Sequence, residues 1–347
     1  MEIRGINYDV GVVVSTAEAR GNFDPEVAKR EFEIIRDSLK CNSVRLVGAV
    51  PEVMYQVGRI AAQMGLNVWF TPYLTEMTVE EEKDYMVSGA VLAERLRTEF
   101  PDVEVVFVQG GEYPLFVKGI LPGETLEERI KDPNWYLKLA EIDVKEKYRY
   151  AVKYVADAVR EVFHGKVTYA AIPGIEDPDW TLFDYVAVDH YKASYTEQYY
   201  VPLLKQLSVW NKPIIVMEVG CATFRGAYEM GSNAHSIMNL ETWTIDGEYQ
   251  RDEELQAQKL ESALEDINTS QCVEGIFVFT FCWRHHYVDE SNCHNDLDMA
   301  SYGIVKPFRN REGSTFPGVK WEPKKSFYVV KKFYEGYVSD TINKREG

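Results

Sequence analysis

Eight short apolar segments recur along this 347-residue chain, and a helical pattern lies between most successive pairs. Each segment is rich in Val, Ile, Phe or Tyr, which is typical of parallel strands buried on both faces. The predicted strands are 3–8, 43–47, 66–71, 104–109, 166–171, 184–189, 213–217 and 274–280. Eight strands in this alternation favour an α/β fold, a closed (β/α)8 TIM barrel, over an open sheet.

Local signals mark where the intervening helices begin and end. Asp24 and Pro25 are an N-cap and a first helical residue, Gly65 ends a helix that begins at Pro51, and Thr78 with Glu81 has capping-box spacing. The predicted helices are about 25–40, 51–64, 78–100, 144–163, 195–209, 252–270 and 323–336. The link 172–183 is too short for more than a brief helix. We predict one catalytic barrel domain over 1–340, followed by a short C-terminal tail, 341–347.

The amino-acid composition limits the kinds of molecule that this protein is expected to bind. Hydrophobic residues make up 46% and charged residues 27% of the chain, as in a globular protein with ample core material. The formal net charge of −17 argues against nucleic acid and anionic membrane surfaces. The N-terminus lacks a signal-peptide pattern, and the five cysteines are too scattered for a disulfide framework. We therefore expect a cytoplasmic protein with reduced thiols.

The longest predicted loops follow strands four, seven and eight: 113–143, 219–251 and 281–322. All three fall on the C-terminal face of the barrel, where barrel enzymes place their chemistry. The first two are expected to wall the cleft, which favours a short substrate or the end of a chain over an open groove for a polymer.

Two glutamates end strands on this face, Glu112 after strand four and Glu218 on strand seven. Glycoside hydrolysis needs one carboxyl to protonate the departing oxygen and a second to attack or to activate water. Strands four and seven face each other across a barrel mouth, so their terminal side chains can flank one bond. The plainer interpretation is two solvated strand-end residues, which is less favoured for a pair on these two strands.

Further motifs show a resemblance to a known group. The segment Asn42-Ser-Val-Arg45 lies on strand two, and Asp189-His190-Tyr191 and Phe279-Thr-Phe-Cys-Trp283 lie at the ends of strands six and eight. Ala300-Ser-Tyr-Gly-Ile-Val precedes the last helix. With the two glutamates, they resemble clan A glycoside hydrolases, which are retaining barrel enzymes. The resemblance covers nearly the whole chain.

The resemblance implies roles for these positions. Glu112 would be the general acid and base, and Glu218 the nucleophile of a double displacement. Arg45 and Tyr191 would support Glu218, and Trp283 would be a platform for the sugar. Each also has a structural interpretation: a buried Arg45 can simply tie two strands, and Tyr191 can be a satisfied packing residue.

The residue before Glu112 departs from the clan pattern. The clan usually has an asparagine there that holds the 2-hydroxyl of the substrate, whereas this chain has Gly111. A closer likeness is to bacterial barrel proteins labelled abortive-infection proteins, through Gly5-Ile-Asn-Tyr-Asp9, Glu218-Val-Gly-Cys-Ala-Thr-Phe-Arg-Gly226 and Asp246-Gly-Glu-Tyr249. The alternative function is therefore a non-catalytic or repurposed barrel that binds a carbohydrate or signal in phage defence.

Other residues at predicted strand ends are candidate substrate contacts. Tyr8, Trp69 and Tyr113 can stack on sugars or pack in the core, and Asn7 can bind hydroxyls or set a turn. His190 can bind sugar or orient Glu112, and the sequence leaves open whether His190 or Tyr191 points inward.

No metal and no organic cofactor is predicted. Cys282, His285, His286, Cys293 and His294 cluster in the last long loop, but their spacing matches no standard zinc pattern. The sequence thus predicts a retaining glycoside hydrolase acting on a carbohydrate, a β-linked glycoside or short oligosaccharide.

Overall fold

The computed structural model describes residues 1–11 and 24–346, with side chains described as far as residue 338. Eight parallel strands form a closed barrel in the order β1-β8-β7-β6-β5-β4-β3-β2. They are β1 (Ile3–Asp9), β2 (Ser43–Gly48), β3 (Asn67–Pro72), β4 (Val105–Gly111), β5 (Lys166–Ala171), β6 (Val186–Asp189), β7 (Ile214–Val219) and β8 (Val273–Val278). The predicted (β/α)8 barrel is confirmed.

Within residues 1–11 and 24–346, seven long helices surround this barrel. They are α1 (Pro25–Asp37), α2 (Pro51–Gln63), α3 (Val79–Glu99), α4 (Ile142–Val162), α5 (Glu197–Leu207), α6 (Glu253–Ser270) and α7 (Lys325–Glu346). Thr78 and Glu81 form the predicted capping box at the start of α3. Between β5 and β6 the chain makes only a single 3-10 turn, Trp180–Leu182, as the short link predicts.

The last helix is longer than the sequence indicates. The predicted helix ends at about residue 336, whereas α7 continues to Glu346, so the expected boundary at residue 340 lies inside the helix. Tyr334 holds this helix against the barrel, because it is buried and donates hydrogen bonds to the carbonyls of Gly5 and Ile276. The helix runs through Gly336, since one glycine lowers helix propensity by only about 1 kcal/mol relative to alanine.

Successive side chains on a strand point to opposite faces, so the inward-facing side chains of the eight strands form layers inside the barrel. One layer contains large apolar side chains, with Trp69 packed against Phe277 and next to Val106 and Ile215. Asn7 of β1 also points inward, and its partner on β2 is Arg45. Arg45 contacts Thr71, which lies on β3 two residues beyond Trp69. The C-terminal end of the barrel interior is therefore polar.

The three long loops carry short elements. The loop after β4 contains helical turns at Tyr113–Phe116 and Leu126–Ile130, and the loop after β7 contains Ala227–Met230 and a hairpin of Met238–Asn239 with Thr244–Ile245. A two-stranded sheet of Val305–Pro307 and Trp321–Pro323 precedes α7. Among the described residues, no helix is both long and apolar enough to cross a membrane.

Candidate active site

Glu218 lies at the C-terminal end of β7, where the pairing with β6 shifts register between Val188 and Asp189. The side chain of Glu218 is 19% exposed. Arg45 donates from Nη1 to Glu218 Oε1 at 2.8 Å, and Tyr191 donates its hydroxyl to Oε2 at 2.7 Å. Both carboxylate oxygens are thus held by donors from β2 and from the end of β6.

Arg45 is fixed by neighbours on both adjacent strands. Its Nε donates to Thr71 Oγ1 at 3.2 Å, and its Nη1 also donates to Asn7 Oδ1 at 3.2 Å. Asn7 in turn donates to the carbonyl of Met217, one residue before Glu218, at 2.8 Å. Asn7 is 1% exposed, so it positions Arg45 and β7 and has no surface to offer a substrate hydroxyl.

Glu112 follows β4 in the left-handed backbone conformation, with φ 52° and ψ 38°. Non-glycine residues adopt this conformation at a cost and often at functional sites. Burial and then the charges of Glu218 and Glu176 together raise the pKa of Glu112 to about 8, against the opposing effect of Arg45. The carboxyl of Glu112 is therefore protonated at neutral pH and lies close enough to Glu218 to sense its charge.

Gly111 fits only because it has no side chain. A Cβ at this position would lie 2.6 Å from the carbonyl oxygen of Ala170 and 3.0 Å from its Cβ. The cause is local: β4 shifts register against β5 between Val108 and Gly111, which brings the two backbones together. The asparagine found here in clan A enzymes has no room in this backbone.

Asp189 is a third carboxylate at the barrel mouth. It pairs with Glu218 across β6 and β7, and its Oδ1 lies 3.9 Å from Arg45 Nη1. This oxygen is buried without a hydrogen-bond partner among the described residues. Burial, followed by the charge of Glu218, raises the pKa of Asp189 well above its usual range.

Tyr73 immediately follows β3 and is half-buried at the same mouth. Its ring packs edge-on against Phe116, at the end of the helical turn that Glu112 begins. Burial raises the pKa of Tyr73 well above its usual range, and the charges of Glu112 and then Glu218 add to the effect. Tyr73 is thus an uncharged hydroxyl near both glutamates.

Aromatic residues form one wall of the mouth. Trp283 is half-buried and packs against Phe279, Tyr302 and His286 at centroid distances of 5.9, 5.8 and 4.7 Å. Tyr302 also packs against Tyr191, which binds Glu218, at 5.5 Å. Trp283 is thereby linked to the nucleophile candidate through two rings.

His190 and Tyr191 point in opposite directions, which resolves the ambiguity left by the sequence. Tyr191 turns inward to Glu218, whereas His190 turns outward and stacks on Tyr200 of α5 at 4.0 Å. His190 Nε2 lies 2.8 Å from the carbonyl oxygen of Tyr200, and burial lowers its pKa to about 4. His190 is only 3% exposed and lies behind the strand. This position does not fit the expected contact with sugar or with Glu112.

Two aromatic candidates, Trp69 and Tyr113, are buried away from the mouth. Trp69 is 0% exposed between Tyr185 and Phe277 inside the barrel, below the polar layer. Tyr113 donates its hydroxyl to the carbonyl of Gln109 and is buried behind β4. These positions leave no ring face for a sugar.

Tyr8 points outward from β1, not into the barrel. Its hydroxyl donates to Glu31 Oε2 on α1 at 2.6 Å, and Arg284 contacts both groups. Since alternate residues on a strand face opposite sides, the inward position of Asn7 requires this outward position of Tyr8. The expected contact of Tyr8 with substrate does not fit this placement.

Glu176 is a further acidic residue that the sequence analysis missed. It lies in the link between β5 and β6, accepts from the Tyr169 hydroxyl and from the backbone N–H of Ile172, and has its pKa raised to about 7 by burial. Tyr169 is also the acceptor for the N–H of Tyr113, the residue after Glu112, at 2.8 Å. Tyr73 and Asp189 could have been found as polar residues at strand ends, but nothing in the sequence marks Glu176.

A comparison with protein families gives one match. The model of Glycoside Hydrolase Family 113 matches residues 131–304, about half of the chain. The matched segment includes Asp189, Tyr191, Glu218 and Trp283 but begins after Glu112. No curated protein matches this sequence.

Solved structures with a similar fold are clan A barrel enzymes. Fungal β-1,4-galactanase aligns with a TM-score of 0.53 and 14% identity over 86% of this chain and 90% of its own. The endocellulase of Pyrococcus horikoshii aligns at 0.53 and 9% over 96% and 92%. β-Glucuronidase 2 of Bacteroides uniformis aligns at 0.54 and 14% over 88% of this chain but only 32% of its own. At these identities the likeness concerns the fold, and the resemblance to abortive-infection proteins is not shown by these matches.

Proposed function

The chain belongs to Glycoside Hydrolase Family 113, and on that basis we propose that it cleaves a β-linked glycoside or short oligosaccharide with retention of anomeric configuration. Glu112 is the proposed acid and base, and Glu218 the proposed nucleophile. The proposal rests mainly on the difference between the carboxyl groups of Glu112 and Glu218. Glu112 has a pKa raised to about 8, whereas both oxygens of Glu218 accept hydrogen bonds from Arg45 and Tyr191.

In the first step of the proposed reaction, a Glu218 oxygen attacks the anomeric carbon while the bond from that carbon to the leaving oxygen breaks. Glu112 gives its proton to the leaving oxygen, so the departing group is a neutral alcohol. The product is a glycosyl ester on Glu218. Glu112, now a carboxylate, takes a proton from water, and the remaining hydroxide attacks the anomeric carbon and releases Glu218.

Trp283 is the proposed platform for the sugar ring before the cleaved bond. Its half-exposed indole lies at the end of the strand-eight segment, packed on the aromatic wall that includes Tyr302. A rigid aromatic face at this point suits the axial C–H groups of a pyranose. The fungal galactanases and the glucuronidase are themselves named for β-linked substrates, which agrees with the configuration proposed here.

Tyr73 is the proposed donor to the substrate 2-hydroxyl, in place of the asparagine that Gly111 excludes. Its uncharged hydroxyl lies near both Glu112 and Glu218, where the first sugar must sit. Tyr73→Phe should lower kcat/KM more for an aryl glycoside than for its 2-deoxy analogue. Equal losses on both substrates would contradict this role.

The alternative of a non-catalytic barrel in phage defence is not favoured, since the family match is to glycoside hydrolases. The test is a panel of aryl β-glycosides with wild type, Glu112→Gln, Glu218→Gln and the control Glu241→Gln, an exposed residue of the strand-seven loop. We expect turnover in wild type and the control, and a loss of at least about 10²-fold in the other two. NMR of the first product should show the β anomer; an α anomer would contradict retention, and full activity in either active-site variant would contradict its role.

A further inference from the structure

Three potential metal ligands meet where two of the long loops touch. Glu248 comes from the loop after β7, and Cys293 and His294 come from the loop after β8. His294 Nε2 lies 3.3 Å from Glu248 Oε1, and Cys293 Sγ lies 3.8 Å from Glu248 Oε2. One potential ligand atom from each residue falls within 4.8 Å of the others.

The hydrogen bonding of His294 prepares its other nitrogen for a ligand. Nδ1 lies 3.1 Å from the carbonyl oxygen of Ile245, and since a carbonyl can only accept, Nδ1 carries the proton. In the neutral ring Nε2 then has a free lone pair that faces a carboxylate oxygen. Backbone carbonyls orient metal-binding histidines in this same way.

Two lone-pair atoms 3.3 Å apart require a cation between them, either a proton or a metal ion. A proton on Nε2 would explain why His294 lies close to Glu248, but it would not explain why the thiol of Cys293 lies beside them. A thiolate, an imidazole and a carboxylate around one point make the donor set that zinc prefers among common ions.

The spacing agrees with tetrahedral coordination. Bonds of about 2.0–2.2 Å to nitrogen and oxygen and about 2.3 Å to sulfur put neighbouring ligand atoms about 3.3–3.7 Å apart. The separations of 3.3 Å from His294 Nε2 and 3.8 Å from Cys293 Sγ are to different oxygens of Glu248, and both lie close to this range. One ligand atom from each residue lies within 4.8 Å of the others, so a small closure of the side chains completes the geometry. Glu248 and His294 are exposed, so water has access to a fourth position.

We propose that Glu248, Cys293 and His294 bind one zinc-class divalent ion that ties the strand-seven loop to the strand-eight loop. The site is distinct from the carboxylates at the barrel mouth and does not rest on the proposed function. Sequence spacing does not reveal it, because Glu248 is 45 residues from Cys293. A metal that binds the folded chain and bridges these loops stabilises it against unfolding.

The test is a titration of the chelator-treated full chain with Co²⁺ and then Zn²⁺, read by absorbance and by competition with a chromophoric chelator. We expect one equivalent per chain, a thiolate-to-cobalt charge-transfer band, and a rise in Tm with Zn²⁺. Cys293→Ser should lose the band, and both Cys293→Ser and His294→Gln should bind at least tenfold more weakly.

Two matched controls separate this site from other thiols and imidazoles. Cys272→Ser removes a half-buried thiol just before β8, and His235→Gln removes a ring whose Nδ1 also contacts a carbonyl, that of Ser232, at 3.0 Å. Both controls should bind like wild type, and circular dichroism should show all four variants folded. Absence of stoichiometric binding, or wild-type affinity in either Cys293→Ser or His294→Gln, would overturn the proposal.

Discussion

At the scale of single residues, the candidate site depends on a glycine. The carbonyl of Ala170 occupies the space into which a side chain at position 111 would project, and the following Glu112 has a positive φ. These two features set the direction of the Glu112 carboxyl. The spacing of residues along β4 predicts Glu112 at the mouth but not this backbone.

Gly111→Asn is therefore expected to lose activity, not to recover the clan pattern. A Cβ 2.6 Å from a backbone oxygen forces β4 and β5 apart, so we expect a loss of about 1–3 kcal/mol in the free energy of unfolding. Urea denaturation and kcat/KM measure the two effects. Gly336→Asn is the control, because its Cβ meets no atom within 4 Å. Unchanged stability and activity in Gly111→Asn would contradict the steric argument.

The fall of kcat/KM on the basic side of its pH profile, the basic limb, should report the deprotonation of Glu112. A general acid must be protonated, so kcat/KM should fall as the pH rises through about 8. The charge of Glu176 helps raise this pKa, hence Glu176→Gln should move the limb to lower pH. The control is Asp177→Asn, an exposed neighbour that pairs with Lys145 and Arg149. A limb that stays in place in Glu176→Gln would argue against this coupling.

At the scale of elements, a buried ionic cluster joins α1 to the strand-eight loop and to the strand before α7. Glu31 of α1 is 0% exposed and accepts from Arg284 at 2.6 Å, from Tyr8 at 2.6 Å and from Trp321 Nε1 at 2.8 Å. These contacts hold Tyr8 and Arg284 on the outer side of the barrel, next to α1. The sequence could not reveal this cluster, because Glu31 and Trp321 are 290 residues apart.

Glu31→Ala should destabilise the chain strongly, because it leaves the guanidinium of Arg284 without its partner. Removing one member of a buried pair costs about 3–5 kcal/mol, and since the Arg284 side chain is 33% exposed we expect a loss near the lower end of this range. On the same helix, Glu33 pairs with Arg30 at 3.1 Å, with both side chains more than a third exposed. Glu33→Ala should therefore cost no more than about 1 kcal/mol in urea unfolding. Similar losses in the two variants would contradict the importance of the cluster.

At the scale of the whole molecule, the sequence predicts the barrel well because strand and helix periods differ and each buried strand is a compact apolar run. Strand positions also indicate that both glutamates and Arg45 lie at or near the barrel mouth, and the roles of these residues stay predictions. The sequence does not show which neighbour on a strand faces inward, so the outward positions of Tyr8 and His190 could not be predicted. It also does not show how deep an inward side chain lies, so the burial of Trp69 below the polar layer could not be predicted. Contacts between distant loops, such as Glu248 with His294, are beyond sequence periodicity.

Buried carboxyls should make the folded chain less stable as the pH rises from about 6.5 to 8. Burial raises the pKa of Glu82 to about 8 from 4.5, so the folded chain keeps a proton that the unfolded chain has lost, and unfolding becomes easier with rising pH. Glu112 and Glu176 act in the same direction. The buried His190 and His286 have lowered pKa values, and their opposite effect is mostly complete by about pH 6.5.

Glu82→Gln should reduce this slope, since the amide does not titrate. Urea unfolding at pH 6.5 and 8 should show a smaller loss of stability in Glu82→Gln than in wild type. Glu80→Gln on the exposed face of α3 is the control and should keep the wild-type slope. An unchanged slope in Glu82→Gln would mean that Glu82 is ionised in the folded chain.

The most direct test of the central claim is to trap the glycosyl-enzyme with a panel of activated 2-deoxy-2-fluoro-β-glycosides and to map the labelled peptide by mass spectrometry. We expect one sugar per chain, esterified to Glu218, and no label in Glu218→Gln. A label on Glu112, Asp189 or any other carboxylate would contradict the assignment of Glu218 as the nucleophile.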